Sequence, residues 1–409
     1  MEVLHGRCCG IDVHKKTVVA CLLASGLQGQ VSRETRTFGT TTRELLALSD
    51  WLLASECTHV AMESTGSYWK PVYNVLESSF VLVVVNAHHL KVVPGRKTDV
   101  RDAEWIADLL RHGLVRPSFI PSRPERELRE LTRYRTSLVA ERSAELNRIQ
   151  KVLEGANIKL ASVVSDIDGL SARAMLAAML SGEYDVEEVA ALARGKLHRK
   201  QGILKEALYG LLQNHQRFLI AVQLRHLDEL DSLIAQVSEE VGRRLEAVKE
   251  DLQRLTTIPG VSRRVSEILL SEMGADMSRF PSARHLASWV GLCPGNNESA
   301  GKSLSGRTRK GSPWLRSALV QAAKAAARTK TYLGAQYRRI AARRGANRAA
   351  VAVAHSIAVI AYNLLSKHQD YSDLGGNYFD ERQRDHVRTR LAHRLASLGY
   401  VVQLTPIPD

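Results

Sequence analysis

The chain has 409 residues, 44% hydrophobic and 24% charged, the composition of an ordinary globular protein with length for two or three domains. No apolar run reaches the roughly 18–20 residues of a membrane span, and the five cysteines (8, 9, 21, 57 and 293) show neither a CxxC pair nor a zinc spacing, so reduced thiols in a cytoplasm are expected. The net charge of +14 is concentrated, because residues 299–369 hold 14 Lys and Arg and no acid, which points that segment at a polyanion, nucleic acid first.

In chain order, the start leads into a strand without the pattern of a secretory signal. RCCGIDV and TVVACLL, within residues 7–23, read as two strands joined at His14-Lys15-Lys16, and QVSRETRTF (30–38) alternates like a third. Leucine spacing predicts a helix over 41–54, HVAMES is a strand, 68–78 a helix, and FVLVVVN (80–86) a buried parallel strand. A helix over 99–112 follows. The order βββαβαβα is that of a ribonuclease-H-like fold.

Four carboxylates stand at telling places in this order. Asp12 ends the apolar run Cys8-Cys9-Gly10-Ile11, and Glu63 ends Val60-Ala61-Met62. Asp99 and Asp102 lie three apart at a helix start, on one face. All four are expected at one sheet edge. A carboxylate beside a buried strand is costly without a cationic partner. Hard cations such as Mg²⁺ or Mn²⁺ take oxygen ligands, so the quartet predicts a phosphodiester-cutting metal site. His14, His88 and His89 are expected to be polar surface residues, and Lys97 a salt-bridge partner or phosphate contact.

Past the prolines at 117, 121 and 124 the chain turns helical. Residues 125–155 carry an apolar stripe, and Leu227, Ile234, Val241, Val248 and Leu255 repeat every seven residues along a second long helix. Two such seams predict a bundle within the chain or a coiled coil between chains. Thr256-Thr257-Ile258-Pro259-Gly260-Val261-Ser262 resembles the turn of a helix-hairpin-helix, whose N–H groups meet a phosphate. An ordinary helix–helix turn would look the same. The loop GLCPGNNESAGKSLSGRTRKGS (291–312) and two basic helices, 313–330 and about 333–367, complete this part, and residues 370–409 form a tail of mixed charge.

GIDVHKK, AMESTGSYW, GRKTDVRDAEWIADLL, TIPGV and GLCPGNNESAGK…GRTRKG…LRSAL together resemble the DEDD transposases of the insertion-sequence-110 family, nearest the branch typified by insertion sequence 1111. The resemblance runs from about residue 8 to 368. It implies a RuvC-like DEDD domain (6–122), a helical, coiled-coil-like middle (125–255), a C-terminal transposase domain (256–368) and a tail (369–409). It carries the family's acids to Asp12, Glu63, Asp99 and Asp102 and its serine nucleophile to Ser299, with Ser303 and Ser305 close by. It implies cutting and rejoining of donor and target DNA through phosphoserine links, guided by the element's noncoding bridge RNA. It also implies homo-oligomers, dimer to tetramer, in which one protomer's acids meet another's serine, in a bacterial or archaeal cytoplasm at the nucleoid. No membrane partner is expected.

A serine hydroxyl is a weak nucleophile without a base or metal, and no histidine neighbours this loop. Activation is therefore expected from the acidic site, with Lys302, Arg307, Arg309 and Lys310 balancing phosphate charge. Arg316 is placed with that loop as a DNA contact. Arg338, Arg339, Arg343 and Arg344, with Arg348, form a separate basic stripe for DNA or guide RNA. Three other classes compete. A hydrolytic RuvC-like nuclease would use water in place of serine. An actin-like kinase fold would need a second glycine-rich phosphate loop, which is not found. A non-enzymatic binding protein would leave the four acids unexplained.

Overall fold

A computed structural model describes residues 2–26, 30–64, 66–85, 102–182, 184–295, 297–299, 302–305 and 307–403, with backbone alone at 297–299 and 302–305. The chain divides into two compact units, Met1–Ile120 and Pro121–Asp409.

The first unit is built on a five-stranded sheet in the order β3-β2-β1-β4-β5. Strands β1 (Arg7–Val13), β2 (Thr17–Ser25) and β3 (Val31–Gly39) form an antiparallel meander, while β4 (His59–Glu63) and β5 (Val81–Val85) run parallel to β1. Side chains alternate across β1 because a strand repeats every two residues. Cys9, Ile11 and Val13 join the core under helices α1 (Thr42–Ala54) and α2 (Trp69–Leu76), with Leu48, Leu52, Val72 and Leu76. Cys8 faces the opposite side with Cys21, Ala61 and Val85. There it meets Ala103, Ile106, Ala107 and Leu110 of α3 (Asp102–Arg111). Thr41 caps α1 by accepting from the Glu44 amide. The mixed sheet and the element order agree with the ribonuclease-H-like expectation. The expected start of the last helix, 99–101, falls outside the described residues.

Gly10 explains how α3 can lie so close. A Cβ there would overlap the Ala103 carbonyl and the Ala107 amide, so the helix backbone rests directly on β1.

In the second unit, α4 (Arg123–Gly155, 33 residues) and α9 (Asn214–Arg244, 31 residues) pair along their lengths. Leu138 packs with Leu230 and Ile234, and Ile149 and Leu153 share a core with Ile220 and Leu227, so the pair is antiparallel. Arg142 to Asp231 at 2.5 Å and Arg244 to Glu127 at 2.8 Å cross-link it. Short helices α5 (Leu160–Val163), α6 (Leu170–Leu180), α7 (Val186–Ala191) and α8 (Gln201–Leu208) close one end over Leu160, Met175, Leu204 and Leu208. The seven-residue repeat does not stay on one helix, as the sequence suggested. It breaks where Arg244 turns polar and pairs with Glu127 and Glu240. Val248 falls in a 3-10 turn and Leu255 in α10 (Lys249–Thr256).

The remaining helices are α11 (Arg263–Met273), α12 (Ala283–Val290), α13 (Pro313–Ala326), α14 (Tyr332–Arg344), α15 (Ala346–Lys367), α16 (Tyr378–Arg382) and α17 (Arg384–Ser397). Among the described residues α15 alone is long and apolar enough to cross a membrane. Half of its most apolar stretch is buried within the unit, and Val353, Ile357, Ala361 and Leu365 face neighbours that include α12, α13 and α14.

Candidate active site

Three of the four acids are placed by strand and helix ends. β1 and β4 run parallel with Gly10 opposite Ala61 and Ile11 opposite Met62, so one step further brings Asp12 opposite Glu63. Both follow, by two residues, positions on the α3 side of the sheet (Gly10 and Ala61), and alternation puts them on that side too. Asp102 opens α3 one residue before Ala103, whose carbonyl rests against Gly10. Three oxygen donors thus belong to one face at the carboxyl ends of parallel strands, where open α/β sheets bind ligands. An all-oxygen donor set of this kind suits a hard divalent cation. Among the described residues no three of His, Cys, Asp and Glu form a metal cluster, and Asp99, Lys97, His88 and His89 lie outside them.

One neighbour of these acids was not expected to take part. The tight β1–β2 turn, closed by the His14 amide donating to the Thr17 carbonyl at 2.9 Å, brings His14 Nε2 to 3.0 Å from Asp12 Oδ2. The Asp12 side chain is 19% exposed and that of His14 59%. The i, i+2 spacing at a strand end is the signal that could have found this contact.

The serine segment is a hairpin. β6 (Asn297–Ser299) pairs antiparallel with β7 (Lys302–Ser305), and Ser299 stands opposite Lys302 at its closing pair. Ser303 and Ser305 lie on β7, opposite Glu298 and Asn297. Below the hairpin the strands continue to approach, with Pro294 bridged to Thr308 and the Gly295 amide donating to the Arg307 carbonyl at 2.8 Å. Gly291 ends α12 in the left-handed region at φ 81°, and a Cβ on it or on Gly311 would overlap the backbone at the other.

Two polar groups hold this base, and one of them, Arg316, was expected to contact DNA. Arg316 Nη1 donates to the Gly291 carbonyl at 2.9 Å and to Thr308 Oγ1 at 2.8 Å, tying entry to exit. Ser312, the N-cap of α13, donates to Glu272 Oε2 at 3.1 Å. The Glu272 side chain is 1% exposed and pairs with Arg133 at 2.7 Å, so α4, α11 and the serine segment meet in one buried ionic network. Arg307, Arg309 and Lys310 are exposed. The basic stripe maps to α14, where Arg338, Arg343 and Arg344 are exposed and Arg348 follows on α15. Cations in the last turn of α14 also suit the helix dipole.

The turn before α11 is packed. Gly260, at φ 87°, lies so close to the Ala322 carbonyl and the Ala326 amide of α13 that a Cβ would overlap both.

Residues 9–158 match the family model described as Transposase (DEDD_Tnp_IS110), and residues 252–338 match that of the Transposase IS116/IS110/IS902 family. The chain is 26% identical over 322 residues to the transposase for insertion sequence element IS1111A of Coxiella burnetii, covering 76% of this chain and 79% of that protein. It is 28% identical to a probable family 20 transposase of Pseudomonas aeruginosa, covering 76% and 85%. The pilin gene-inverting protein of Moraxella bovis is 23% identical, covering 71% and 73%. Among solved structures, Thermus thermophilus RuvC aligns with 27% of this chain and 99% of its own at 14% identity and a TM-score of 0.22. The two family models fall on the sheet that carries Asp12 and Glu63 with the helix that opens at Asp102, and on the hairpin that carries Ser299, and together they span more than half the chain. It belongs to the IS110 family of DEDD transposases.

Proposed function

We propose that the chain moves an insertion sequence by cutting and rejoining DNA strands, with Ser299 as the attacking group. The observation that carries this reading is that Asp12 and Glu63 each stand one step past the last in-register pair of β1 and β4, Ile11 and Met62, on the side of the sheet against which α3 packs. In this reading the Ser299 hydroxyl forms an ester with the scissile phosphorus. The bond from phosphorus to one sugar oxygen breaks, and the serine proton passes to that oxygen. A second sugar hydroxyl reverses the step on the new strand, which conserves the phosphodiester energy. Mg²⁺ or Mn²⁺ held by Asp12, Glu63, Asp99 and Asp102 would polarise the phosphate and make the attacking hydroxyl more acidic.

The chain's own residues supply the rest. His14 holds the Asp12 carboxylate in place, and the Arg316 and Ser312–Glu272 contacts fix the base of the serine hairpin. Lys302, Arg307, Arg309 and Lys310 balance charge on the transferring phosphate. The basic stripe on α14 takes nucleic-acid backbone. The working domains are 6–122, 125–255, 256–368 and the tail. The chain acts as a dimer or tetramer with donor DNA, target DNA and the element's guide RNA in the cytoplasm.

An SDS-resistant adduct assay tests the proposal, with purified chain, Mg²⁺, the element's flanking noncoding RNA and both DNAs. The expected result is a protein–DNA adduct that Ser299→Ala abolishes and Asp12→Asn lowers by roughly a hundredfold or more. Cutting without an adduct, unchanged by Ser299→Ala, would instead make the enzyme a nuclease that uses water.

A further inference from the structure

The tail beyond α15 has two halves of opposite sign. Residues 370–381 carry four acids and no base, whereas residues 382–394 carry five arginines and one acid. The acidic half is laid along α14. Asp373 accepts the Tyr332 amide at 3.1 Å, at the first turn of that helix, where a carboxylate is favoured. The Tyr371 hydroxyl donates to the same carboxylate at 3.0 Å. Phe379 stacks on Tyr332 with ring centroids 5.1 Å apart, and Tyr378 meets Tyr332 edge-on at 5.2 Å. Arg339 is consumed in this docking, with its guanidinium 5.7 Å from the Phe379 ring, 3.8 Å from Asp380 and donating to Gln383 Oε1 at 2.6 Å.

Docking leaves a cleft of about 490 Å³ between α14 and the tail, lined by Arg338, Arg339, Arg343, Phe379, Asp380 and Arg390. Its one acid, Asp380, is opposed by Arg339, so three further guanidiniums set its charge. Arg338 is held in place by donating to the carbonyls of Ala327 and Thr329 at 3.1 and 2.8 Å, which spends only part of its five-donor fork. Arg343 comes from the last turn of α14 and Arg390 from the opposite wall on α17. A cleft with cations on both walls fits a phosphodiester running between them, because guanidinium forks match phosphate oxygens.

We propose that the tail completes a nucleic-acid backbone site, with Arg343 and Arg390 gripping phosphate from the two sides of this cleft. The acidic half of the tail is the anchor, and the basic half is the added contact surface. This rests on the reading of the basic stripe as a nucleic-acid surface and extends it to a segment outside the family resemblance.

The test is fluorescence anisotropy on the full chain across a salt series, with duplex DNA in one arm and the element's structured noncoding RNA in the other. Arg343→Gln and Arg390→Gln are each expected to weaken binding in at least one arm by roughly threefold to tenfold and to lower the salt slope by about one. The affected arm identifies whose backbone is held. Arg388→Gln, on the same helix but paired with Asp385 at 3.1 Å and outside the cleft, should leave the slope unchanged. The proposal is overturned if the two cleft variants bind both nucleic acids as the unaltered chain does, or if Arg388→Gln matches their loss. Steep salt-dependent binding that survives both cleft substitutions would refute the cleft and keep the wider reading, whereas an unaltered chain with no salt-dependent binding refutes both.

Discussion

A carboxylate at the last position of a buried strand carries much of the information in this chain. Asp12 and Glu63 are legible because strand position is local: a short apolar run stops, and an acid stands where the strand emerges. Arg316 shows the opposite case. In sequence it is one more cation in an acid-free stretch, yet its Nη1 is spent on the Gly291 carbonyl and the Thr308 hydroxyl. Arg316→Ala is therefore expected to slow strand cutting by about tenfold or more, the loss of a positioning contact, and to leave the salt slope of DNA binding as it was. Arg316→Lys should not restore cutting, since an ammonium lacks the planar fork. A slope that drops by about one would place this guanidinium on a phosphate instead.

Among the elements, α4 and α11 are joined by charges that any composition-based reading assigns to the surface. Arg135 and Glu267 pair at 2.7 Å with side chains 4% and 5% exposed. Glu267 also takes exposed Arg263 at 3.1 Å and so keeps a cation when Arg135 is lost, whereas losing Glu267 leaves the buried Arg135 guanidinium without its carboxylate. Glu267→Leu is expected to cost about 3–5 kcal/mol of stability by urea unfolding and Arg135→Leu less, while Arg135→Leu with Glu267→Leu recovers most of the loss. A neutral single variant would mean the pair is hydrated in solution. The helices were legible from apolar spacing, and so was the existence of seams on α4 and α9. Which seam met which, and where the second one stopped, were not. Those depend on Leu138 finding Leu230 and Ile234, and on Arg244 turning toward Glu127, contacts about a hundred residues apart.

Over the whole molecule, the first unit hides four thiols. Burial pushes Cys8 up to about 11 and Cys57 up to about 12, and lifts Cys9 well above its ordinary value and Cys21 in the same direction. A thiol raised on folding favours the folded state while it stays protonated. Its contribution is whole below its unfolded value of about 9 and is lost as pH climbs through the folded value. The urea midpoint is therefore expected to fall between pH 9 and about 12, and to fall less steeply in Cys8→Ala with Cys57→Ala. A profile unchanged by those substitutions would assign the alkaline loss to other groups. At neutral pH a thiol reagent should modify partly exposed Cys293 first and the other four only on unfolding.

The sequence by itself determined the order of elements, the strand-end acids, the acid-free basic segment and the family that these motifs resemble. Each of these is written in short-range pattern: period two in a strand, period 3.6 in a helix, sign of charge along a stretch. The tertiary structure alone decided which of those groups meet. Gly10 lets the backbone of α3 rest directly on β1, on the side of the sheet opposite α1 and α2. Glu272 becomes a buried support for the serine hairpin, and a tail of mixed charge divides into an anchor and a basic wall. Such pairings are set by close packing and by the cost of burying unpaired charge, which act between residues far apart in the chain.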